Sequence, residues 1–458
     1  MSRSVASKAI AALRMEVTGA FLRSRAASPR GTLLRSAAPC SLLRSACSPT
    51  VVPAQLLPRL WLGGGAHPVG HRVGTDALAL SAVGLGTRSS WGGVSRRALS
   101  GSRGGASNGE GAVSRDGSGG GGSTAGKLNR EITQCRDVKG LLGLVKQHRE
   151  SFDFIHVSSM WVALVKMQVG GRGEEGEVIQ LLQVLTRERV ATMKAQAVAN
   201  TLHSIVTLHE SGRMSVDDEL EGKLLTRAKA MARDFKPQGI VNVMWAMSTM
   251  GIENPDAGLV KAMQGRAMMV VDDFKPQGVA MLMLAFAKMG ITPDAGLRKA
   301  MQGQAIATTG DFTPQNIANL MWALATMGIT PGAGLLEAME GQAVATAGNF
   351  KPQEVVNLMW ALATMGIRPD VDLLEAMEGQ AVATARDFKP QGIANLMVAL
   401  EKMGIRPDVD LLEAMEGQAI ATAGGFKLQD VQMLMGALKK MGITPDAGLA
   451  VAMKGRGR

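Results

Sequence analysis

The chain contains no tyrosine, and aromatic residues make up only 3% of it. Its core must therefore be filled by aliphatic side chains and by its 30 methionines, whose unbranched thioethers suit irregular gaps. Cysteine is scarce. Cys40, Cys47 and Cys135 are all there is, which excludes a disulfide framework and a cysteine-built zinc set. No apolar run approaches the roughly 20 residues that a membrane-spanning helix requires. His148, His156, His203 and His209 have no acidic or cysteine partners at ligand spacing, and a proline separates His67 from His71. No nucleophile–base set or paired-carboxylate pattern stands out. These absences point away from an enzyme, a cofactor, a metal, a small-molecule substrate and membrane insertion.

The charge is unevenly spread. The net +11 suggests a nucleic-acid binder until it is divided along the chain. Residues 1–109 hold 14 Lys/Arg against 2 Asp/Glu, residues 110–230 hold 16 against 15, and residues 231–458 hold 20 against 22. The excess lies in the first quarter, and the remainder is neutral.

That first quarter reads as an address. MSRSVASKAIAALRMEV is rich in Arg, Ser and Ala and poor in acid, with Arg3, Lys8 and Arg14 able to share a face opposite Ile10 and Leu13. This is the composition of an organellar transit peptide, expected over residues 1–100. The lack of an uninterrupted apolar core favours the mitochondrial matrix over the chloroplast stroma. Residues 101–126 are rich in Gly and Ser and read as a linker, which puts the start of the folded region near Lys127. Within the linker, GGSTAGKL fits the spacing of a phosphate-binding loop. It lacks a preceding strand, and Leu128 stands where that loop needs Ser or Thr, so it is read as linker.

What fills the rest is a repeat. Phe occurs at 235, 274, 312, 350, 388 and 426, with Pro two residues later in all but the last, where Leu428 stands. Four of the five spacings are 38 residues. A fixed period of this size means units that bury their apolar faces against their neighbours. Two degenerate copies start at Ser151 and Met193, with Trp161, Leu164 and Met167 in the first where later units have Trp, Leu and Met.

One unit shows the local logic. Pro314 suits the first helical position, Thr313 the cap, and Phe312 with Ile317 a hydrophobic staple. Ile317, Leu320, Met321, Leu324 and Met327 recur at helical spacing. Gly328 ends the helix, with Ile329 packing back on Leu324. A second helix follows, clearest at 370–385, capped by Asp370 or Asp372 and apolar at Leu373, Leu374, Met377, Ala381 and Val382. The acids of the recurring LLEAMEG read as solvated surface. The expected fold is all-α: an α-solenoid of about eight helix-turn-helix units, with a lead-in helix and two degenerate repeats over 127–234 and regular repeats over 235–458.

One polar stripe stands out. Gln315, Asn319, Trp322 and Thr326 lie on one face of the first helix, as do Gln353, Asn357, Trp360 and Thr364, and Gln238, Asn242, Trp245 and Thr249. Gln277, Gln391 and Asn395 continue it in the remaining units. Amides beside an aromatic suit base-edge hydrogen bonding and stacking on single-stranded RNA. The same amides could instead bond the backbone of the next unit, and the Trp could pack between units. The position after Gln varies from unit to unit (Gly239, Gly278, Asn316, Glu354, Gly392, Asp430), as a read-out position would.

PQNIANLMWALATMG with its 38-residue period resembles the octotricopeptide repeat, and more distantly the helical repeats of FAST-kinase-like and RAP-domain organellar proteins. The stretch LNREITQCRDVKGLLGLVKQHRESFDFIHVS resembles the lead-in of such proteins. The resemblance implies a non-catalytic helical binder of single-stranded organellar RNA that supports processing, stability or translation. The stripe and the position after its Gln make Gln238, Asn242, Gln277, Gln315, Asn316, Asn319, Gln353, Glu354, Asn357, Gln391 and Asn395 the candidate contacts. The repeat signature departs from the family's in its reduced PDAGL or PDVDL before the second helix. No RAP-like segment is recognisable, so that domain's suspected nuclease activity is not implied. The alternative is a scaffold subunit that touches the proteins of an organellar ribonucleoprotein.

Overall fold

The computed structural model describes residues 124–167, 172–215, 217–252 and 254–454. The expected transit peptide, and the linker as far as residue 123, lie outside them. The described residues form eighteen α-helices and no strand. In chain order these begin with α1 (Thr124–Gln134), α2 (Val138–His148), α3 (Phe154–Lys166), α4 (Arg172–Arg189), α5 (Ala195–Glu210) and α6 (Asp218–Ala230). Next come α7 (Pro237–Thr249), α8 (Ala257–Met269), α9 (Pro276–Lys288), α10 (Ala295–Ala307), α11 (Pro314–Thr326) and α12 (Ala333–Ala345). The last six are α13 (Pro352–Met365), α14 (Val371–Ala383), α15 (Pro390–Lys402), α16 (Val409–Ala421), α17 (Leu428–Lys440) and α18 (Ala447–Lys454).

Each helix packs against the helix two further along, so odd-numbered helices make one layer and even-numbered helices the other. This is the α-solenoid that the period implied. The odd-numbered layer is in closer contact along the array than the even-numbered one. Small residues such as Ala318, Ala323 and Ala325, all buried, permit that approach. Tighter spacing in one layer bends the stack toward it, so the first helices form the inner side.

The lead-in is itself a helix pair. α1 packs on α3 and α2 on α4, which gives nine pairs where the sequence suggested eight units and a single helix. The fold also starts earlier than Lys127: Thr124, Ala125 and Gly126 form the first turn of α1, so the GKL of the loop-like motif is helical. Asp137 starts α2 by accepting from the Gly140 amide.

The local rules operate as read. Thr313 Oγ1 accepts from the Asn316 amide. Phe312 and Ile317 are both buried. Gly328 has φ +65°, and the Ile329 amide donates to Leu324 O at 2.9 Å. Asp370, rather than Asp372, caps α14 by accepting from the Leu373 amide at 2.7 Å. A short 3-10 turn precedes each first helix from α3 onward and delivers the buried Phe of the unit, or Met193 in the second.

One register differs from the sequence reading. The first unit starts at Phe152, not Ser151, with Asp153 capping α3. Trp161 then stands where later units have Met244 or Met321. It is fully buried and donates through Nε1 to Thr186 Oγ1 at 2.9 Å. The residue equivalent to Trp322 is Val162. A spacing of three residues from Trp161 to Leu164, against two from Trp322 to Leu324, carried this signal.

Candidate nucleic-acid interface

The stripe lies on the first helices, one row of side chains per helical turn. Gln238 Nε2 donates to Asn242 Oδ1 at 2.8 Å, and Gln353 Nε2 to Asn357 Oδ1 at the same distance. These amides thus pair within their own helix rather than with the backbone of the next unit. Exposure varies along the array. Gln315, Asn319 and Trp322 are half-buried, as are Gln353, Asn357 and Trp360, while Thr326 and Thr364 are exposed. Asn242, Trp245 and Thr249 are buried, as is Asn395, whereas Gln238 and Gln391 are exposed and Gln277 is half-buried. The face is therefore most open at α11 and α13.

The aromatic row makes contacts between units. Trp322 and Trp360 lie nearly parallel, with ring centroids 6.4 Å apart and planes at 28°. His203 occupies the same place in the second unit and packs on Trp245 at 4.9 Å. Burial holds the His203 imidazole down to about 4, so it is neutral at pH 7. Leu284 and Val398 continue the row without rings.

The position after Gln faces the start of its own helix. Glu354 accepts from the Lys351 amide at 2.9 Å, and Asp430 from the Lys427 amide at 3.3 Å. Asn316 is buried. A Cβ on Gly239 would lie 2.7 Å from Phe235 Cδ1 and one on Gly278 3.2 Å from Phe274 Cδ1. Glu354 and Asp430 thus act as caps, and Gly239 and Gly278 lie close to the Phe rings of their units.

Two sets of residues were not singled out from sequence. Lys194, Lys236, Lys275, Lys351, Lys389 and Lys427 occupy the N-cap position of six first helices and are all exposed. They share one edge with the starts of those helices, a favourable place for phosphate. Asp234, Asp273 and Asp387, in the turns preceding three of these helices, temper that charge. Recurrence directly after the Phe of each unit, or after Met193, could have revealed the row.

The second set joins backbone to side chain. Gln304, Gln342, Gln380 and Gln418 each donate through Nε2 to the carbonyl of the Phe thirty residues earlier, at 2.6–3.0 Å. In the earlier units Arg189 and Arg266 donate through Nε to the carbonyls of Phe152 and Phe235, and Arg227 to that of Met193. Gln264 and Gln302 accept from the first amide of the following second helix, at Asp294 and Gly332. Glu340, Glu378 and Glu416 take that place in later units, facing the amides of Asp370, Asp408 and Asp446. The acids of LLEAMEG therefore divide. Glu337, Glu375 and Glu413 are solvated as expected, but Glu378 is buried, and burial with Asp408 nearby raises its carboxyl to about 7.

Among the described residues no group of three or more His, Cys, Asp or Glu could hold a metal ion, and no helix is long and apolar enough to cross a membrane.

Taken together, the stacked pairs and the polar inner face define a helical-repeat protein of the α-solenoid class. Residues 137–370, just over half the chain, match the family described as RNA-editing substrate-binding complex 6 protein. The chain belongs to that family. Residues 372–397 match a second family, a protein of unknown function (DUF1601), within the same repeat. No curated protein matches the chain.

Proposed function

We propose that this chain is a non-catalytic subunit of an RNA-processing assembly and binds single-stranded RNA on the inner face of its solenoid. The observation that carries the reading is the open Trp322–Trp360 pair with the Gln353–Asn357 amides beside it. The rings supply stacking surface for bases and the amides supply base-edge donors and acceptors, in the octotricopeptide-like manner that the repeat resembles. The N-cap lysines hold the phosphates, and membership of a family named for an RNA-editing substrate-binding complex supports an RNA role. The basic, acid-poor first hundred residues direct the protein to the mitochondrial matrix.

The test uses full-length chain and single-stranded organellar RNA, with binding measured by filter retention and the bound fragments sequenced after crosslinking. Replacing both rings in W322L/W360L keeps the position apolar, as Leu284 already does in its own unit. Losing one or two stacked bases weakens binding about tenfold to several hundredfold. Unchanged affinity with an unchanged melting temperature refutes the reading. A second reading, a scaffold that binds only other subunits, draws on the charge balance of residues 231–458, and it survives if the chain binds no RNA at moderate salt.

A further inference from the structure

The outer line of the second helices takes no part in the face described above. On α8, α10, α12, α14 and α16 one equivalent position holds Lys261, Lys299, Glu337, Glu375 and Glu413 in turn, and all five are exposed. None of them makes an ion pair among the described residues. The row changes sign once, between α10 and α12. Arg266 and Arg298 back its basic half, and exposed Asp372 and Asp410 extend its acidic half.

One turn further along, each of these helices carries an exposed glycine: Gly265, Gly303, Gly341, Gly379 and Gly417. A Cβ at any of the five would meet nothing within 4 Å. Glycine inside a helix costs about 1 kcal/mol relative to alanine, and no contact within the chain requires it here. At these glycines the ridge is bare backbone beside a charged row, a surface against which another helix can lie close. Phosphate would be repelled from its acidic half.

We propose that this ridge is the interface of a twofold dimer with a second copy of the same chain. Placing the axis between α10 and α12 runs the two ridges antiparallel. Lys299 then faces the partner's Glu337 and Lys261 the partner's Glu375, and symmetry makes each pair twice. Four helices spaced about 8–10 Å apart give a paired row about 24–30 Å long. The assignment is independent of whether the inner face binds RNA.

The experiment is sedimentation equilibrium of the full-length chain at low salt, with K299E, E337K and the double variant K299E/E337K. All three changes are on exposed positions, and a circular dichroism melt checks that each variant folds. The wild type is expected to be dimeric at about 10 µM. Each single reversal sets like charges opposite one another twice and weakens the dimer by at least about tenfold. The double variant restores opposite pairs and recovers most of the loss. A wild type that remains monomeric at this concentration overturns the proposal and leaves the ridge to a different partner. A double variant no stronger than the single ones overturns the register, and with it the self-complementary pairing.

Discussion

Glu378 should make the array less stable as pH rises through neutrality. Its side chain lies in the seam between α14 and α16, against Val355, Met359 and Leu411. Asp408 is close on the next helix, and Oε1 is buried without a hydrogen-bond partner. The carboxyl binds its proton to about pH 7 in the fold, against an ordinary 4.5. The folded state thus holds the proton more tightly than the unfolded chain. The cost is absent below pH 4.5, grows as pH rises from there to 7, and is complete above 7. Its ceiling is about 3 kcal/mol, and solvent reaching the outer seam reduces this to about 1–2 kcal/mol. E378Q should remove it, because Gln264 and Gln302 already accept the equivalent amide as neutral groups in other units. The assay is urea unfolding of wild type and E378Q at pH 5 and pH 8. The variant should equal wild type at pH 5 and exceed it by about 1–2 kcal/mol at pH 8. Equal differences at both pH values would refute the assignment, and so would a loss of stability in E378Q at pH 8.

Three further outcomes are expected. Q342A and Q380A each remove a bond to a buried Phe carbonyl and should cost about 1–2 kcal/mol, visible as faster amide exchange at the start of α11 and α13 respectively. G366A forces a side chain into φ +69° and should cost about 1–2 kcal/mol by chemical denaturation; no loss would mean that the turn can relax. Q315A/Q353A should weaken RNA binding in a retention assay without shifting the melting temperature, whereas a lower melting temperature would make these residues structural.

The period, the Phe and Pro that start each unit and the Gly that ends its first helix were legible because their causes are local. Pro314 needs no amide partner, and Gly328 needs only its own φ. Helix spacing also placed Gln353 and Asn357 one turn apart, though not the bond between them. The role of Gln380 was not legible. Its partner is a carbonyl thirty residues back, brought near only when the two helices fold against each other. Glu375 and Glu378 read alike in LLEAMEG, and a turn of some 300° around the helix sends one to solvent and the other into a seam. Trp161 was misread by one residue because a Trp at nearly the expected distance was aligned by type instead of by its spacing to Leu164. The capping bonds of Glu354 and Asp430 to the Lys351 and Lys427 amides were not read from the sequence, where both residues stood only as variants of the position after Gln.

The recurring glutamine bonds between the regular units join side chains to main-chain carbonyls, groups that every unit presents whatever its sequence. One of these regular units can therefore succeed another. Excision of residues 350–387, one full period, would join Asn349 to Phe388 and leave each remaining Gln with an equivalent carbonyl to reach. The gene is then free to lengthen or shorten the protein by unequal recombination in steps of 38 residues, so that the reach of the inner face becomes a heritable dimension adjustable without redesigning a single contact.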